Sequence, residues 1–196
     1  MRVFLIRHGK SESNLANTFG EDPNLCEEGI RQSLSAKFDF TPNIVISGAL
    51  KRQIQTAENL FPDLYKHETY SLLNEMYFDS LEGTLITPEF DESIIEDVLT
   101  LKNKYGGDNM WERADKALEF IKELGIKYKN KTVAIVTSDT LMQAMMCTLK
   151  YGHENGHIYT GELYVDNCES IEMIEEEGNI CALFYKGKNI LEKERY

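Results

Sequence analysis

Residues 1–14 read MRVFLIRHGKSESN, and the apolar run up to Ile6, followed at once by Arg7-His8-Gly9, decides the fold class. Val3, Phe4, Leu5 and Ile6 are β-branched, aromatic or aliphatic with little alternation. A strand buried on both faces of a parallel sheet reads this way. Such a strand must end where the chain can turn, and Gly9 lets the backbone turn sharply and approach a ligand closely. In open α/β sheets, sites form beyond the carboxyl ends of strands, which is where Arg7 and His8 stand. Arg7 offers a planar fork of donors suited to a phosphate. His8 is a nucleophile available at neutral pH, and Ser11 and Asn14 add neutral donors.

Working outward, buried strands are predicted over Ile44–Ser47 and Thr132–Thr137. Helical spacing covers Glu27–Phe38, Leu50–Phe61 (stopped by Pro62), Pro88–Lys104, Asn109–Leu124 (ending at Gly125) and Leu141–Leu149. The tail Leu163–Tyr185 reads as two or three strands with a turn at Glu175–Gly178. Strands alternating with helices predict an α/β fold: a three-layer α/β/α arrangement with a mostly parallel central sheet. Residues 1–196 fit one domain, with a cap insertion at about 84–107.

The net charge of −12 sets this chain against nucleic acid and anionic membrane surfaces. It also repels anionic substrates, so a phosphate site has to concentrate positive charge locally, and single arginines gain weight. Arg52 is such a residue, because it falls in the first turn of the helix after Ile44–Ser47, where free backbone N–H groups also favour an anion. A hydrophobic fraction of 42% and a charged fraction of 28% are those of a globular protein. No apolar run reaches the roughly 20 residues a membrane helix needs, and the run Val3–Ile6 is too short for a signal-peptide core, which predicts a cytoplasmic protein. Cys26, Cys147, Cys168 and Cys181 form no CxxC pair and have no histidine at metal-ligand spacing. They read as free thiols, with no metal and no cofactor expected.

Five segments in order resemble the histidine phosphatase (phosphoglycerate mutase-like) superfamily: LIRHGKSESN (5–14), LCEEGIRQ (25–32), SGALKRQIQTAE (47–58), LNEMYFDSLEG (73–83) and GGDNMWERADKAL (106–118). The resemblance implies a phosphoglycerate mutase-like fold. It implies that His8 attacks phosphorus, that Arg7 and Arg52 hold the phosphoryl oxygens with Asn14 assisting, and that Glu75 protonates the leaving alcohol. The partner is then a small phosphorylated substrate or inorganic phosphate. Hydrolysis is favoured over a mutase reaction, since a brief cap is poorly suited to excluding water through two transfers. Lys10 and Ser11 are candidates for the cavity mouth. His67, His153 and His157 read as surface or structural residues.

One stretch departs from the pattern. The family carries a second histidine after the late buried strand, and the resemblance aligns Ser138 with it and Asp139 with the following glycine. Ser138 keeps a hydroxyl donor for phosphate but no positive charge, which reduces catalytic competence. Asp139 either points into the cavity, where it repels an anion, or caps the next helix; the cap preference of aspartate favours the second. The alternative function is therefore a degenerate member that binds a phosphorylated ligand without hydrolysing it.

Overall fold

The structure is a computed structural model that describes residues 1–66, 68–87, 106–152 and 163–192. Its centre is a six-stranded sheet of order β2-β3-β1-β4-β5-β6. The strands are β1 (Arg2–Arg7), β2 (Ile44–Ser47), β3 (Thr132–Thr137), β4 (Ser170–Glu176), β5 (Asn179–Tyr185) and β6 (Lys188–Asn189). β2, β3 and β1 run parallel, while β4, β5 and β6 add antiparallel strands at one side. The sheet is thus mixed, with the parallel strands forming the half that carries the site.

The pleat sorts the apolar residues into two cores. Ile46 pairs with Ile135, Ile135 with Leu5 and Leu5 with Ile171, so four strands present one apolar row to the same face. That face is covered by α4 (Met110–Lys127) and α5 (Asp139–Tyr151), through residues such as Ala114, Ala117, Ile121, Leu141 and Met145. The intervening residues Ile6, Val45, Ala134 and Val136 face the other way, against Ala57 and Ile54 of α3 (Lys51–Leu60). The helix α2 (Glu27–Ser35) packs on α3, where Asn59 Nδ2 donates to Ser33 Oγ at 2.8 Å. A short α1 (Glu12–Ala16) follows the first strand. This is the expected three-layer arrangement.

Several boundaries differ from the sequence expectation, each for a local reason. α4 does not stop at Gly125 but runs to Lys127. Gly125 marks a close approach instead, because a Cβ there would lie 2.0 Å from Glu175 Oε2. α5 starts at Asp139, two residues early, with Ser138 as its N-cap. The tail turn narrows to Glu177-Gly178, both at positive φ, which matches the twist of a two-residue hairpin. Glu175 and Glu176 belong to β4. The predicted helix Pro88–Lys104, and with it most of the 84–107 insertion, lies outside the described residues. The same holds for His67, His153 and His157.

Cys26, Cys147 and Cys168 are buried and Cys181 is exposed, all as free thiols. Burial pushes the Cys168 thiol up to about 11. Among the described residues no helix is long and apolar enough to cross a membrane.

Candidate active site

The parallel strands end side by side, so the residues after them meet. The ladder continues one step past the strands, with His8 N–H donating to Thr137 O at 2.9 Å and Gly48 N–H donating to Val136 O at 3.0 Å. Beyond this edge the described residues bound a cavity of about 590 Å³. Arg7, His8, Lys10, Asn14, Arg52, Glu75 and Asp139 all line it. Residues from four separate stretches of sequence are thereby brought together.

Close backbone packing places the first of these stretches. A Cβ on Gly9 would lie 2.7 Å from Gly29 O, and one on Gly29 would lie 2.0 Å from Lys10 O. Two glycines are therefore required where the Gly9-Lys10 backbone crosses the start of α2. Gly9 N–H also donates to Thr56 Oγ1 at 3.0 Å, and Thr56 Oγ1 donates to Arg52 O at 2.6 Å. This ties the loop after β1 to the helix that carries Arg52.

His8 is buried, and its two ring nitrogens have distinct partners. Nδ1 contacts Gly9 O at 2.7 Å, and Nε2 accepts from Arg52 Nε at 3.2 Å. Together these contacts assign the proton to Nδ1 and leave the Nε2 lone pair toward Arg52. Burial holds the imidazole well below its ordinary value, and the charges of Arg52 and Arg7 act in the same direction against a smaller opposing effect of the Gly9 carbonyl. The ring is therefore neutral at pH 7. Arg52 is also buried, with Nη1 donating to Glu21 O at 2.8 Å.

Arg7 is held from the far side. Its Nη1 donates to Val165 O at 2.6 Å, its guanidinium carbon lies 4.8 Å from the centre of the Tyr164 ring, and its Nε has no partner although buried. Asn167 Nδ2 donates to His8 O at 2.8 Å. Glu75 Oε1 accepts from Met76 N–H at 2.9 Å. Burial raises the Glu75 carboxyl above its ordinary range, against the lowering effect of Arg52. A carboxyl held up in this way can carry a proton at the pH where His8 has none.

The remaining candidates divide. Lys10 lines the cavity, with Nζ paired to Glu28 Oε2 at 2.8 Å. Asn14 lines it as well, while its Oδ1 accepts from Ser11 N–H at 3.1 Å. Ser11 does not reach the cavity: it is fully buried as the N-cap of α1, its Oγ accepting from Asn14 N–H at 3.2 Å. Ser138, expected to donate to phosphate, is fully buried and is not among the residues that line the cavity; its Oγ accepts from Gln53 Nε2 at 2.9 Å. Asp139 is not a helix cap. It is the first residue of α5, and it is among the residues that line the cavity. Its Oδ1 accepts from Val165 N–H at 3.1 Å, and its Oδ2 accepts from Gln143 Nε2 at 2.6 Å and lies 3.9 Å from Arg7 Nη1. Tertiary partners in the Val165 segment outcompete the local cap.

Tyr164, Asn167, Gln53, Thr56 and Gln143 were not singled out by the sequence. Gln53 and Thr56 sit inside a quoted motif at helical spacing from Arg52, which was an available signal. Tyr164 and Asn167 lie in the tail expected as strand, ahead of the first strand formed there, β4. Among the described residues no group of three His, Cys, Asp or Glu side chains is placed to hold a metal ion.

Comparison with known proteins gives a consistent picture. The family model of the histidine phosphatase superfamily (branch 1) matches residues 3–184. A 2,3-bisphosphoglycerate-dependent phosphoglycerate mutase from Bartonella henselae is 34% identical over 96 residues, which is 41% of this chain and 45% of the mutase. The chain thus matches less than half the length of that relative. A metal-independent phosphoserine phosphatase from Arabidopsis thaliana is 23% identical over 83% of this chain and 74% of its own. Among solved structures, YhfR from Bacillus stearothermophilus superposes with a TM-score of 0.79 at 18% identity, covering 91% of this chain and 93% of its own.

Proposed function

We propose, because the chain belongs to the histidine phosphatase superfamily (branch 1), that it is a phosphomonoesterase that hydrolyses a small phosphorylated metabolite through a phosphohistidine on His8. The observation that carries this reading is His8 Nε2 accepting from Arg52 Nε at 3.2 Å, in one cavity with Arg7 and with the Glu75 carboxyl that burial raises.

Phosphoryl transfer has a loose transition state with charge on the equatorial oxygens, so positioning and electrostatics dominate. Arg7 and Arg52 hold those oxygens, and an arriving phosphate takes over the Arg52 donor now given to His8. Nε2 forms a bond to phosphorus while the ester P–O bond breaks. Glu75 gives its proton to the leaving alkoxide, and the alcohol departs. Water then attacks phosphorus, Glu75 takes the water's proton, the P–N bond breaks, and inorganic phosphate leaves. The phosphoserine phosphatase among the relatives favours a small phosphate ester as substrate.

A second reading is favoured by one observation. Asp139 lines the cavity, while Ser138 lies outside the lining with its Oγ accepting from Gln53 Nε2. A site so arranged can hold a phosphorylated ligand without hydrolysing it. Turnover of a generic aryl phosphate separates the two. The enzyme reading predicts colour release that His8→Ala abolishes. Phosphate binding without turnover across a broad pH and substrate panel establishes the binding reading instead.

A further inference from the structure

Three cations and three carboxylates line the cavity among the described residues: Arg7, Lys10 and Arg52 against Glu28, Glu75 and Asp139. Each cation has an acidic counterpart. Lys10 pairs with Glu28 at 2.8 Å and Arg7 faces Asp139 at 3.9 Å. Glu75 is the leading charge influence on Arg52, and Arg52 the leading one on Glu75. His8 adds no charge. Among the described residues the cavity therefore has at most one positive charge in surplus, when Glu75 holds its proton, with which to receive a dianion, in a chain that carries a net charge of −12. Buried like charges repel strongly, so a phosphate dianion beside Asp139 requires a carboxylate that is still charged to become neutral.

The geometry selects which one. Ser138 is buried outside the lining, its Oγ accepting from Gln53 Nε2, so the ionisable side chain that the end of β3 presents to the cavity is Asp139. Its Oδ2 shares the Arg7 guanidinium that an incoming phosphate also needs. We infer that Asp139 takes up a proton from solvent when phosphate binds, and that its O–H then donates to a phosphoryl oxygen held by Arg7. This rests on the cavity being a phosphate site and makes Asp139 a ligand-contacting residue of that site. The carboxyl is already held above its ordinary range, first by burial, with Arg7, the Val165 N–H and Gln143 opposing. Among the described residues, the charged groups facing it are Arg7 at the end of β1, Glu75 from the loop after Leu73, and Asp166 from the segment before β4. Of these, the two carboxylates favour proton uptake and Arg7 resists it until phosphate engages its charge.

Calorimetry of inorganic phosphate binding at about pH 8, in two buffers of different ionisation enthalpy, counts the protons taken up, because a dianion is then the main free species. About one proton per site is expected for the wild-type protein and none for Asp139→Asn, which keeps a donor but needs no proton. By linkage, wild-type affinity then falls roughly tenfold per pH unit above the carboxyl's titration, while that of Asp139→Asn stays flat. In the wild-type protein alone, the carboxyl ¹³C resonance of Asp139 should move to the protonated position on adding phosphate. Equal uptake in both proteins, or an unmoved resonance with phosphate bound, overturns the inference and leaves the site reading standing. No phosphate binding by the wild-type protein overturns both.

Discussion

The ends of β1 and β3 lie side by side, joined by the His8 N–H bond to Thr137 O, yet they are built differently. After β1, the loop and its side chains are braced from behind. Gly9 is held by Thr56, His8 by Gly9, Arg52 and Asn167, and Arg7 by Val165 and Tyr164. After β3, the first side chain turns inward to Gln53 and the second brings a negative charge to the cavity wall. The difference teaches that nucleophile placement and charge balance are separate problems in this fold. The β1 end settles the first. The β3 end leaves the second to protonation.

The sharpest way to break this contrast is to remove the nucleophile. His8→Ala should abolish aryl phosphate turnover, with kcat falling toward about 10⁶-fold as in other enzymes stripped of a nucleophile. Glu75→Gln comes next. Loss of a general acid costs on the order of 10²–10⁴ in rate, and the loss should shrink for esters with good leaving groups, which need little protonation. A uniform loss across leaving groups contradicts the acid role.

The pH profile sharpens the comparison further. Turnover needs neutral His8 and protonated Glu75. The His8 value is lowered by burial and the Glu75 value raised by burial. The rate should therefore rise as pH rises through the lowered His8 value, and fall as pH rises through the raised Glu75 value. Stability follows the same sign. A carboxyl whose folded value lies above its unfolded one favours folding at low pH, and that contribution is lost as pH rises through the folded value. Glu75→Gln should raise Tm at neutral pH and have little effect near pH 4, at about 2–4 °C for each kcal/mol in a chain of this size. A melting series across pH checks this.

The smallest effect concerns the support of the β1 end. Gly29→Ala puts a Cβ against the Lys10 backbone. Overpacking of this kind typically costs about 1–3 kcal/mol, readable as a lower midpoint in urea. Since Lys10 follows the nucleophile loop, kcat should fall as well, while an α2 surface change such as Arg31→Ala leaves both unchanged.

How much of this was legible in sequence depended on whether a residue's role is local. Ile44–Ser47 and Thr132–Thr137 were read to the residue, because strands buried on both faces are unbroken apolar runs bounded by polar ones. The start of α5 was read late, since Asp139 and Thr140 lack the apolar spacing that marks Leu141 onward. Gly125 looked like a stop because glycine often ends helices, and only the folded chain reveals the Glu175 carboxylate beside it. In the site, Arg7, His8 and Arg52 were legible from their places after buried strands. Asp139 was misread as a cap because its partners, Val165 and Gln143, include a residue 26 positions away. Asn167 and Tyr164 fall in a tail that reads only as strand, and their roles are made by tertiary contact with the β1 end.

The most direct test of the central claim is a rapid-quench search for the phosphoenzyme. Glu75→Gln should be mixed with an aryl phosphate that carries a labelled phosphoryl group, quenched under basic conditions, and digested. The account predicts label, stable to base and labile to acid, on the peptide containing His8. Turnover with no label on protein, or label on any other residue, would contradict it.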